Sequence, residues 1–489
     1  MAATSSTATS LERDAIGLPE VLFQSITHMA PAVAVALSIG AATGFAGGNT
    51  PLAVVFALIA ALLTAFSIGE LSRHLPSAGG MYTYVGRGLG SFFGWLMAWA
   101  FLLAEPLVAP ALFAAFGLYG GIVLAYFGVS GSLTWIIGAL LCAAAVWFLT
   151  YRGIGVSTRT GIALGLIEIG IFLLIPFLLV VNAGDRNTAS VFIPGKDGLT
   201  PALTGMVFSL LAFVGFEAAA PLGEEARDPK RTIRQAVLLS AVLIGLFYTF
   251  NYYAATVFFG PDRMASDFYA FNGGDPWGWM AEQVLPGLGG ALVIIAILNS
   301  SLANASSGAT AATRAVFALG RAGLLPGWFA GVHPVHRTPV NAVHAQALLG
   351  IVVGIGLGLV LGDQVYPAPL MVYVFIGYSL GLLFAGMYIA VNLATIGFFL
   401  TERRDEFNIV KHLVIPVLGA LAVVPAFLGV LGGVTIPFLG TAVPPLASPF
   451  DLVPILVAAW MVVGVVLYFV IRAARPDAIG KIGEALTEG

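Results

Sequence analysis

Charged residues are scarce in this sequence. Asp, Glu, Lys and Arg together make up 9% of its 489 residues, while 59% are hydrophobic. A soluble domain carries roughly 25% charged residues, and a water-soluble core could not bury so much apolar surface. The composition therefore excludes a soluble protein. The net charge of -3 gives no indication of a nucleic-acid or strongly acidic partner.

Cysteine is nearly absent, and no catalytic motif takes its place. The one cysteine, Cys142, lies inside an apolar run, which excludes an intramolecular disulfide and a cysteine-built metal site. His333, His336 and His344 lack acidic or cysteine companions at ligand spacing. The sequence also lacks a phosphate-cradling Gly-x-x-x-x-Gly-Lys stretch and a supported Ser, His and Asp constellation. We therefore expect no metal, no cofactor, no ATP hydrolysis and no enzymatic activity.

Long apolar runs are what the sequence does contain. A helix needs about 20 apolar residues to cross a bilayer, and continuous runs exclude a β-barrel, whose strands alternate. The sequence predicts an all-α polytopic membrane protein. Its twelve predicted spans are residues 21–46, 51–72, 91–126, 131–151, 160–182, 202–222, 236–259, 287–313, 341–361, 370–400, 411–433 and 450–472.

Lys and Arg indicate the orientation of these spans, because they stay on the cytoplasmic side in short loops. With a cytoplasmic N-terminus, 18 of the 21 Lys and Arg residues fall on the cytoplasmic side, and only Arg186, Lys196 and Arg263 fall outside. We therefore expect a multi-pass protein of the cytoplasmic membrane with both termini in the cytoplasm. Residues 1–19 lack the basic-then-apolar order of a secretory signal, so the first span is expected to direct insertion.

Two predicted spans contain residues that interrupt a helix. Span 1 carries Pro31, which removes a backbone donor, and span 6 sets Gly215 close to the carboxylate of Glu217. Freed backbone groups are tolerated in a bilayer only where they line a cavity or a site. Each feature alone is also explained by ordinary packing, as a kink or as a close helix contact. Their occurrence five spans apart favours an inverted-repeat transporter with a midplane site.

Several segments resemble the amino acid-polyamine-organocation family of transporters. They are the junction of spans 2 and 3, span 6 with the loop after it, and the region after span 8. In the sequence these are residues 69–85, 213–217, 223–231 and 314–326, with Thr338, Pro339 and Asn341 downstream.

This resemblance implies a leucine-transporter-like fold with a five-plus-five inverted repeat and two extra C-terminal helices. It also implies alternating access to a central site for an amino acid or another amine. The implied parts are a cytoplasmic tail at 1–19, a first repeat with spans 1 to 5 at 20–182, a second repeat with spans 6 to 10 at 202–400, spans 11 and 12 at 411–472, and a cytoplasmic tail at 473–489.

The family's substrate site lies at the two interrupted spans. Amino acid carriers of the family often have a Gly-x-Gly stretch in span 1, whose backbone amides hold the substrate carboxylate. The comparable residues here are Met29, Ala30, Pro31 and Ala32, so one amide is missing. This departure weakens the case for an α-amino acid and favours a polyamine or another small amine.

In span 6 the resemblance assigns four residues to the substrate site. They are Val214, Gly215, Phe216 and Glu217. Phe216 is expected to be an aromatic lid over the solute, with plain core packing as the alternative. Glu217 is expected to steady the unwound segment.

Ionisable residues in bilayer spans are costly and often functional. Glu105, in span 3, suits a substrate ammonium, with packing or kink stabilisation as the alternative. Glu168, in span 5, occupies the position where cationic amino acid carriers resembling this family have a lysine in place of a bound sodium. We expect Glu168 to take up and release a coupling proton, assisted by Ser301 and Asn304 of span 8, unless it only bridges helices. His28 is either a pH sensor or a satisfied core residue.

The sequence thus predicts a secondary active transporter that moves an amino acid or related amine by alternating access, with proton coupling. The alternatives are an importer or exchanger of polyamines or other small amines, and an amine sensor that does not transport. The expected partners are the amine, the coupling proton and the lipid bilayer. No nucleic acid is expected.

Overall fold

A computed structural model describes residues 14–77, 79–268, 271, 275–364, 366–436, 441–442 and 445–474. Within these residues, twelve helical segments are long and apolar enough to cross a membrane. The predicted all-α polytopic fold is therefore confirmed. Of the predicted terminal tails, residues 1–13 and 475–489 lie outside the described residues.

The twelve spans follow the chain in order, and spans 1 and 6 are the interrupted ones. Span 1 consists of α1 (Leu18–His28), α2 (Pro31–Val33), a π-helical turn (Ala34–Ser38) and α3 (Gly40–Ala46), and it is followed by span 2, α4 (Thr50–Ser72), the short helix α5 (Met81–Leu89), span 3, α6 (Ser91–Tyr126), span 4, α7 (Thr134–Arg152), and span 5, α8 (Ile154–Ala183). Span 6 consists of α9 (Thr200–Leu211) and a 3-10 helix (Phe216–Leu222), and it is followed by span 7, α10 (Pro229–Phe259), the short helix α11 (Pro276–Val284), span 8, α12 (Gly289–Arg321), span 9, α13 (Val340–Leu361), and span 10, α14 (Ala368–Thr401). Span 11 consists of a π-helical turn (Val410–Val414) and α15 (Ile415–Leu431), and span 12 is α16 (Leu452–Ala474).

A small strand pair joins the last two spans. Strands β1 (Thr435–Ile436) and β2 (Thr441–Ala442) run antiparallel, with Thr435 opposite Ala442. Each strand is two residues long, so the pair tightens a loop and leaves the helical character of the fold unchanged.

Span 1 lies at the centre of the helical bundle. Its first helix, α1, packs against spans 5, 6, 7 and 8. Six of the eleven residues of α1 are buried, among them the polar Gln24, Ser25, Thr27 and His28. Polar side chains inside a membrane protein need partners or a cavity, so this helix is the natural place to look for a site.

Glycines allow neighbouring helices to approach closely. A Cβ atom at Gly88 of α5 would lie 2.1 Å from the backbone oxygen of Ala394 in span 10, and a Cβ atom at Gly205 of span 6 would lie 2.6 Å from the Cβ atom of Ala46 in span 1. Both distances are too short for any side chain. Small residues at such contacts are the usual means of packing membrane helices.

Span 12 lies at the periphery and packs against spans 3 and 10. Large apolar side chains along it are more than half exposed, at 64% for Ile455, 62% for Val462 and 58% for Phe469. Such a surface is unfavourable in water and favourable in hydrocarbon. The span therefore has the surface of a lipid-facing helix.

The helix ends differ from the predicted ones where a helix continues past its apolar run. Span 7 begins at Pro229 instead of 236, and span 8 ends at Arg321 instead of 313. The extra turns carry polar residues that hydropathy assigns to loops. One of them, Arg321, forms an ion pair with Glu224, so the extension has a partner outside the hydrocarbon.

Candidate functional site

Both predicted interruptions are present in the backbone. Helix α1 ends at His28, Ala30 adopts a left-handed conformation with φ 47°, and the chain becomes helical again at Pro31. A non-glycine residue rarely adopts this conformation. In span 6, α9 ends at Leu211, and Gly215 has φ 120° before the 3-10 helix begins. Backbone groups of both spans are therefore released from regular helical hydrogen bonds at similar depth.

A cavity of about 160 Å³ lies beside the two interruptions. Span 1 contributes residues from His28 onward, and span 6 contributes residues up to Val214. The cavity therefore occupies the half of the bundle away from the N-terminus. Spans 3, 8 and 10 complete its wall, with Val108, Leu112, Asn304, Tyr373 and Tyr378 among the lining residues.

The carboxylate of Glu168 lies at the start of the second part of span 1. Its Oε2 atom accepts the Ala32 N–H at 3.1 Å, and Glu168 is fully buried. The next amide, that of Val33, donates to Ser300 Oγ at 3.3 Å. A helix N-terminus stabilises negative charge through its free amides and its dipole. Glu168 thus occupies an anion position that the interruption of span 1 creates.

The carboxylate of Glu217 stabilises the interruption of span 6 from within. The Gly215 N–H lies 3.2 Å from Glu217 Oε1 and 3.0 Å from Oε2. The Tyr388 hydroxyl of span 10 donates to Oε2 at 2.7 Å. Glu217 thus faces the unwound backbone of span 6, and its steadying role stays a prediction.

Two hydroxyl groups tie the interrupted spans together. The Tyr248 hydroxyl of span 7 lies 2.7 Å from the Met29 carbonyl oxygen and 3.1 Å from the Ala212 carbonyl oxygen. Ser25 of span 1 donates to the Phe216 carbonyl at 2.8 Å and accepts the Ala219 N–H at 3.1 Å. Backbone groups released by both interruptions are thus satisfied inside the protein, as a bilayer requires.

Buried polar atoms without hydrogen-bond partners lie at the cavity and next to it. Within the described residues, both carboxylate oxygens of Glu105, the Asn304 Oδ1 atom and the His28 Nε2 atom have no hydrogen bond. His28 Nε2 lies 3.7 Å from Glu105 Oε2, and His28 Nδ1 lies 3.2 Å from Ser307 Oγ. Ser307 itself donates to the Gln24 carbonyl, so its oxygen is free to accept the Nδ1 proton. His28 then turns a lone pair toward Glu105, which leaves a group of acceptors that lacks a donor.

The side of the bundle that carries the N-terminus is closed. Phe216 is fully buried beneath the cavity, and its ring stacks on Tyr388 with centroids 5.1 Å apart. Below it, Arg314 of span 8 pairs with Glu225, and each side chain is 1% exposed. The two residues form hydrogen bonds of 3.0 and 3.3 Å. A buried ion pair with two hydrogen bonds is a firm closure, because separating the charges leaves both in a poorly solvated place.

Further contacts seal the same side. Ile16 forms a parallel bridge to Ala226. The Ile16 N–H donates to the backbone carbonyl of Glu225, and the Arg227 N–H donates to the backbone carbonyl of Ile16. Arg87 pairs with Glu402. His74 lies 3.5 Å from Glu406, and burial lowers the pKa of this histidine. These contacts close the side of the bundle that carries the N-terminus, beneath the cavity.

The structure divides the predicted substrate residues into two groups. Met29, Ala30 and Val214 line the cavity. The others lie just behind it, where Pro31, Ala32 and Gly215 form the interruptions and Glu105, Phe216 and Glu217 are buried.

The predicted coupling residues divide in a similar way. Asn304 lines the cavity, whereas the Ser301 hydroxyl donates to the Ile297 carbonyl of its own helix at 2.8 Å. The residue beside Glu168 on span 8 is Ser300. Sequence reasoning chose Ser301 over its neighbour Ser300 and missed Tyr248 and Tyr388, because polar residues on long apolar helices give no signal of which way they face.

No metal centre is apparent in the part of the chain that the structure describes. Groups of three or more His, Cys, Asp or Glu side chains that could hold an ion do not occur there. His333 and His336 stack on each other with ring centroids 4.7 Å apart, and His333 bonds to the Tyr151 hydroxyl at 3.1 Å. These histidines therefore form an aromatic cluster with Tyr151.

A polytopic helical protein with a cavity between two interrupted spans has the architecture of a secondary transporter. The profile of the amino acid permease family matches residues 16–467. The chain therefore belongs to the amino acid permease family of membrane transporters, which confirms the resemblance found in the sequence.

Relatives of known activity cover most of the chain. It is 27% identical over 427 residues to the low-affinity putrescine importer PlaP of Escherichia coli K12, covering 84% of this chain and 87% of PlaP. It is 26% identical over 423 residues to the branched-chain amino acid permease BcaP of Lactococcus lactis, covering 79% of this chain and 83% of BcaP. The serine/threonine exchanger SteT of Bacillus subtilis is 26% identical over 317 residues, covering 62% and 68% of the two chains.

Proposed function

We propose that this protein is a secondary active transporter that moves an amino acid or related amine across the cytoplasmic membrane by alternating access. The observation that carries the proposal is the cavity at the two interrupted spans, with the buried pair of Glu225 and Arg314 closing the bundle on the N-terminal side of it. Opening that closure while the opposite side shuts would move a bound solute across.

The solute's ammonium group would be held by Glu105 and Asn304. Both Glu105 oxygens and the Asn304 Oδ1 atom are buried and lack donors within the described residues. An ammonium supplies three donors and a compensating charge, which is what this group of acceptors needs. Phe216, stacked on Tyr388, would form the barrier below the solute and move when the closed side opens.

Glu168 is the proposed coupling group. In the ionised state its carboxylate holds the Ala32 amide at 3.1 Å and lies beside Ser300. Protonation removes the negative charge that the start of α2 stabilises and so weakens the connection between spans 1 and 5. A proton entering here would thus loosen the element that must move during transport. Asn304 and Ser301 remain predicted assistants on span 8.

The interrupted spans also support a proposal for the internal repeats and for the orientation in the membrane. Residues 20–182 and 202–400 are proposed as inverted repeats because their first spans, 1 and 6, are interrupted at similar depth. The proposed orientation has both termini in the cytoplasm, on the side of the buried ion pair. The cavity then faces the outside, as an importer's would before it binds solute.

The proposal is tested by uptake into proteoliposomes that contain the purified protein. A transporter accumulates labelled amine or amino acid in a saturable manner when a pH gradient is imposed, whereas a sensor binds solute without accumulating it. Counterflow with and without the gradient separates proton symport from exchange.

Glu168→Gln tests the coupling step. Gln keeps the shape and can still accept the Ala32 amide, but it cannot release a proton, so pH-driven uptake should fall at least about tenfold while folding and solute binding persist. Asp185→Asn, at an exposed loop carboxylate, is the matched control and should transport normally. Full pH-driven uptake in Glu168→Gln would remove this residue from coupling.

A further inference from the structure

We infer that the site selects an amine that carries no carboxylate, and that the protein's own carboxylates occupy the positions where an amino acid's carboxylate would bind. This inference rests on the proposed transport function and specifies its substrate class. It is carried by the hydrogen-bond partners of the backbone at the two interruptions and by the unpartnered acceptors around the cavity.

The amides at the interruption of span 1 are all engaged. Met29 and Ala30 donate to carbonyls of α1. Pro31 has no N–H. Ala32 donates to Glu168 and Val33 donates to Ser300. The start of α2, which would otherwise attract an anionic ligand, is thus already occupied by the carboxyl group of Glu168.

The amides at the interruption of span 6 are engaged as well. Residues 212–214, Phe216 and Ala218 donate to backbone carbonyls. Gly215 donates to the Glu217 carboxylate, and Ala219 donates to Ser25 Oγ. The Glu217 N–H faces its own carboxylate. The interruption of span 6 could also supply amides to a ligand, but Glu217 and neighbouring groups of the protein already engage them.

The cavity wall offers no cationic alternative for a carboxylate. Among the described residues that line it, none is Lys or Arg, and the basic side chain present is His28. His28 turns one nitrogen to Ser307 and the other toward Glu105. The Ser38 and Tyr373 hydroxyls are bonded to each other at 2.8 Å. An α-carboxylate in this cavity would therefore be desolvated without charge-assisted donors from the described lining residues.

The surroundings of the cavity suit an ammonium group. Asn304, 7% exposed, lines the cavity, and the fully buried Glu105 lies behind it, 3.7 Å from His28. Within the described residues, the two Glu105 oxygens and Asn304 Oδ1 have no donor. The rings of Tyr366, Tyr373 and Tyr378 line the cavity, and aromatic faces attract cations. Acceptors without donors and aromatic rings favour a cationic amine, while the engaged amides and a described lining without Lys or Arg disfavour the anionic group.

Matched pairs of ligands test this inference, because each pair differs only by a carboxylate. The pairs are putrescine and ornithine, cadaverine and lysine, and 3-methylbutylamine and leucine. Binding to the purified full-length protein is measured by calorimetry, and uptake of the same compounds is measured in proteoliposomes. In every pair with a member that binds, the amine should bind at least about 100-fold more tightly than the amino acid, because the extra carboxylate loses its hydrogen bonds to water and gains none.

Each outcome decides between the inference and the transport function. An amino acid that binds as tightly as its amine and is accumulated would overturn the inference and leave the function intact. An amine that binds selectively without accumulating would support the inference and overturn transport. Binding of neither member of any pair would overturn the inference whatever the uptake result.

Pro31→Gly provides a second test within the protein. Glycine adds an amide at the start of α2 and tolerates the local backbone. The ratio of amino acid to amine affinity should rise about tenfold or more, since one charge-assisted donor becomes available. Pro51→Gly, at the start of span 2 and away from the cavity lining, is the control and should leave the ratio unchanged. An unchanged ratio in a folded Pro31→Gly protein would contradict the amide argument.

Discussion

Removing Arg314 should open the closed side of the transporter. Arg314→Met leaves the Glu225 carboxylate, 1% exposed, without the partner that now holds it through hydrogen bonds of 3.0 and 3.3 Å. Breaking one side of a buried ion pair costs about 3–5 kcal/mol. That cost falls on the state in which the pair is formed, so the equilibrium should shift toward the state open on this side by roughly 150-fold or more.

Cysteine labelling measures the shift directly, because the chain contains one cysteine, buried Cys142, which Cys142→Ala removes. Ser306→Cys reports on the closed side. Ser306 is 5% exposed and lies in a small polar cleft between spans 1, 5 and 8. Ala41→Cys reports on the cavity, which Ala41 lines. In Arg314→Met, labelling at position 306 should accelerate and labelling at position 41 should slow.

Two further variants isolate the cause. Glu225→Leu combined with Arg314→Met removes both charges, and replacing a buried pair by apolar residues is often neutral or stabilising, so labelling should return toward the original pattern. Arg263→Met disrupts an exposed pair with Asp267 and should change nothing, because such pairs contribute only about 0–1 kcal/mol. Unchanged labelling at both reporters in a folded Arg314→Met protein would refute the assignment of this pair to the closure.

Three other substitutions probe the site and its support. Phe216→Ala should raise the apparent KM or lower turnover in uptake assays, because it removes the barrier ring stacked on Tyr388; unchanged kinetics would leave Phe216 as core packing. Tyr248→Phe removes the hydroxyl proton that carbonyls of both interrupted spans share and should cost about 1–3 kcal/mol in unfolding free energy, measured by thermal or denaturant unfolding; an unaltered midpoint would contradict the bridging role. Gly88→Ala places a Cβ atom 2.1 Å from a backbone oxygen and should abolish the folded monodisperse peak in detergent chromatography, whereas Gly44→Ala, with nothing within 4 Å, should leave it intact.

Neighbouring residues of span 8 illustrate what helical sequence leaves open. Ser300 and Ser301 are chemically identical, and the sequence interpretation selected Ser301 as the partner of Glu168. In the structure Ser300 lies beside Glu168, while Ser301 bonds to its own helix. Successive residues of a helix point about 100° apart, so only the rotation of the helix in the bundle decides which one reaches span 5.

Glu217 shows a similar division between local and tertiary information. Its position next to Gly215 predicted a role at the unwound segment, and the short contact between this carboxylate and the Gly215 amide is local. The Tyr388 hydroxyl that completes the arrangement comes from span 10, 171 residues later in the chain. A tyrosine in a long apolar helix carries no sequence signal of such a contact.

The sequence by itself determined the class of fold, the number of spans and the two places where helices break. It could do so because apolar runs, proline and glycine act on the few residues around them. Only the tertiary structure decided that Glu168 caps the start of α2, that the acceptors of Glu105 and Asn304 meet no donor in the described part of the chain, and that Glu225 and Arg314 close one side. These features depend on how helices rotate and approach one another, and packing of the whole bundle sets both.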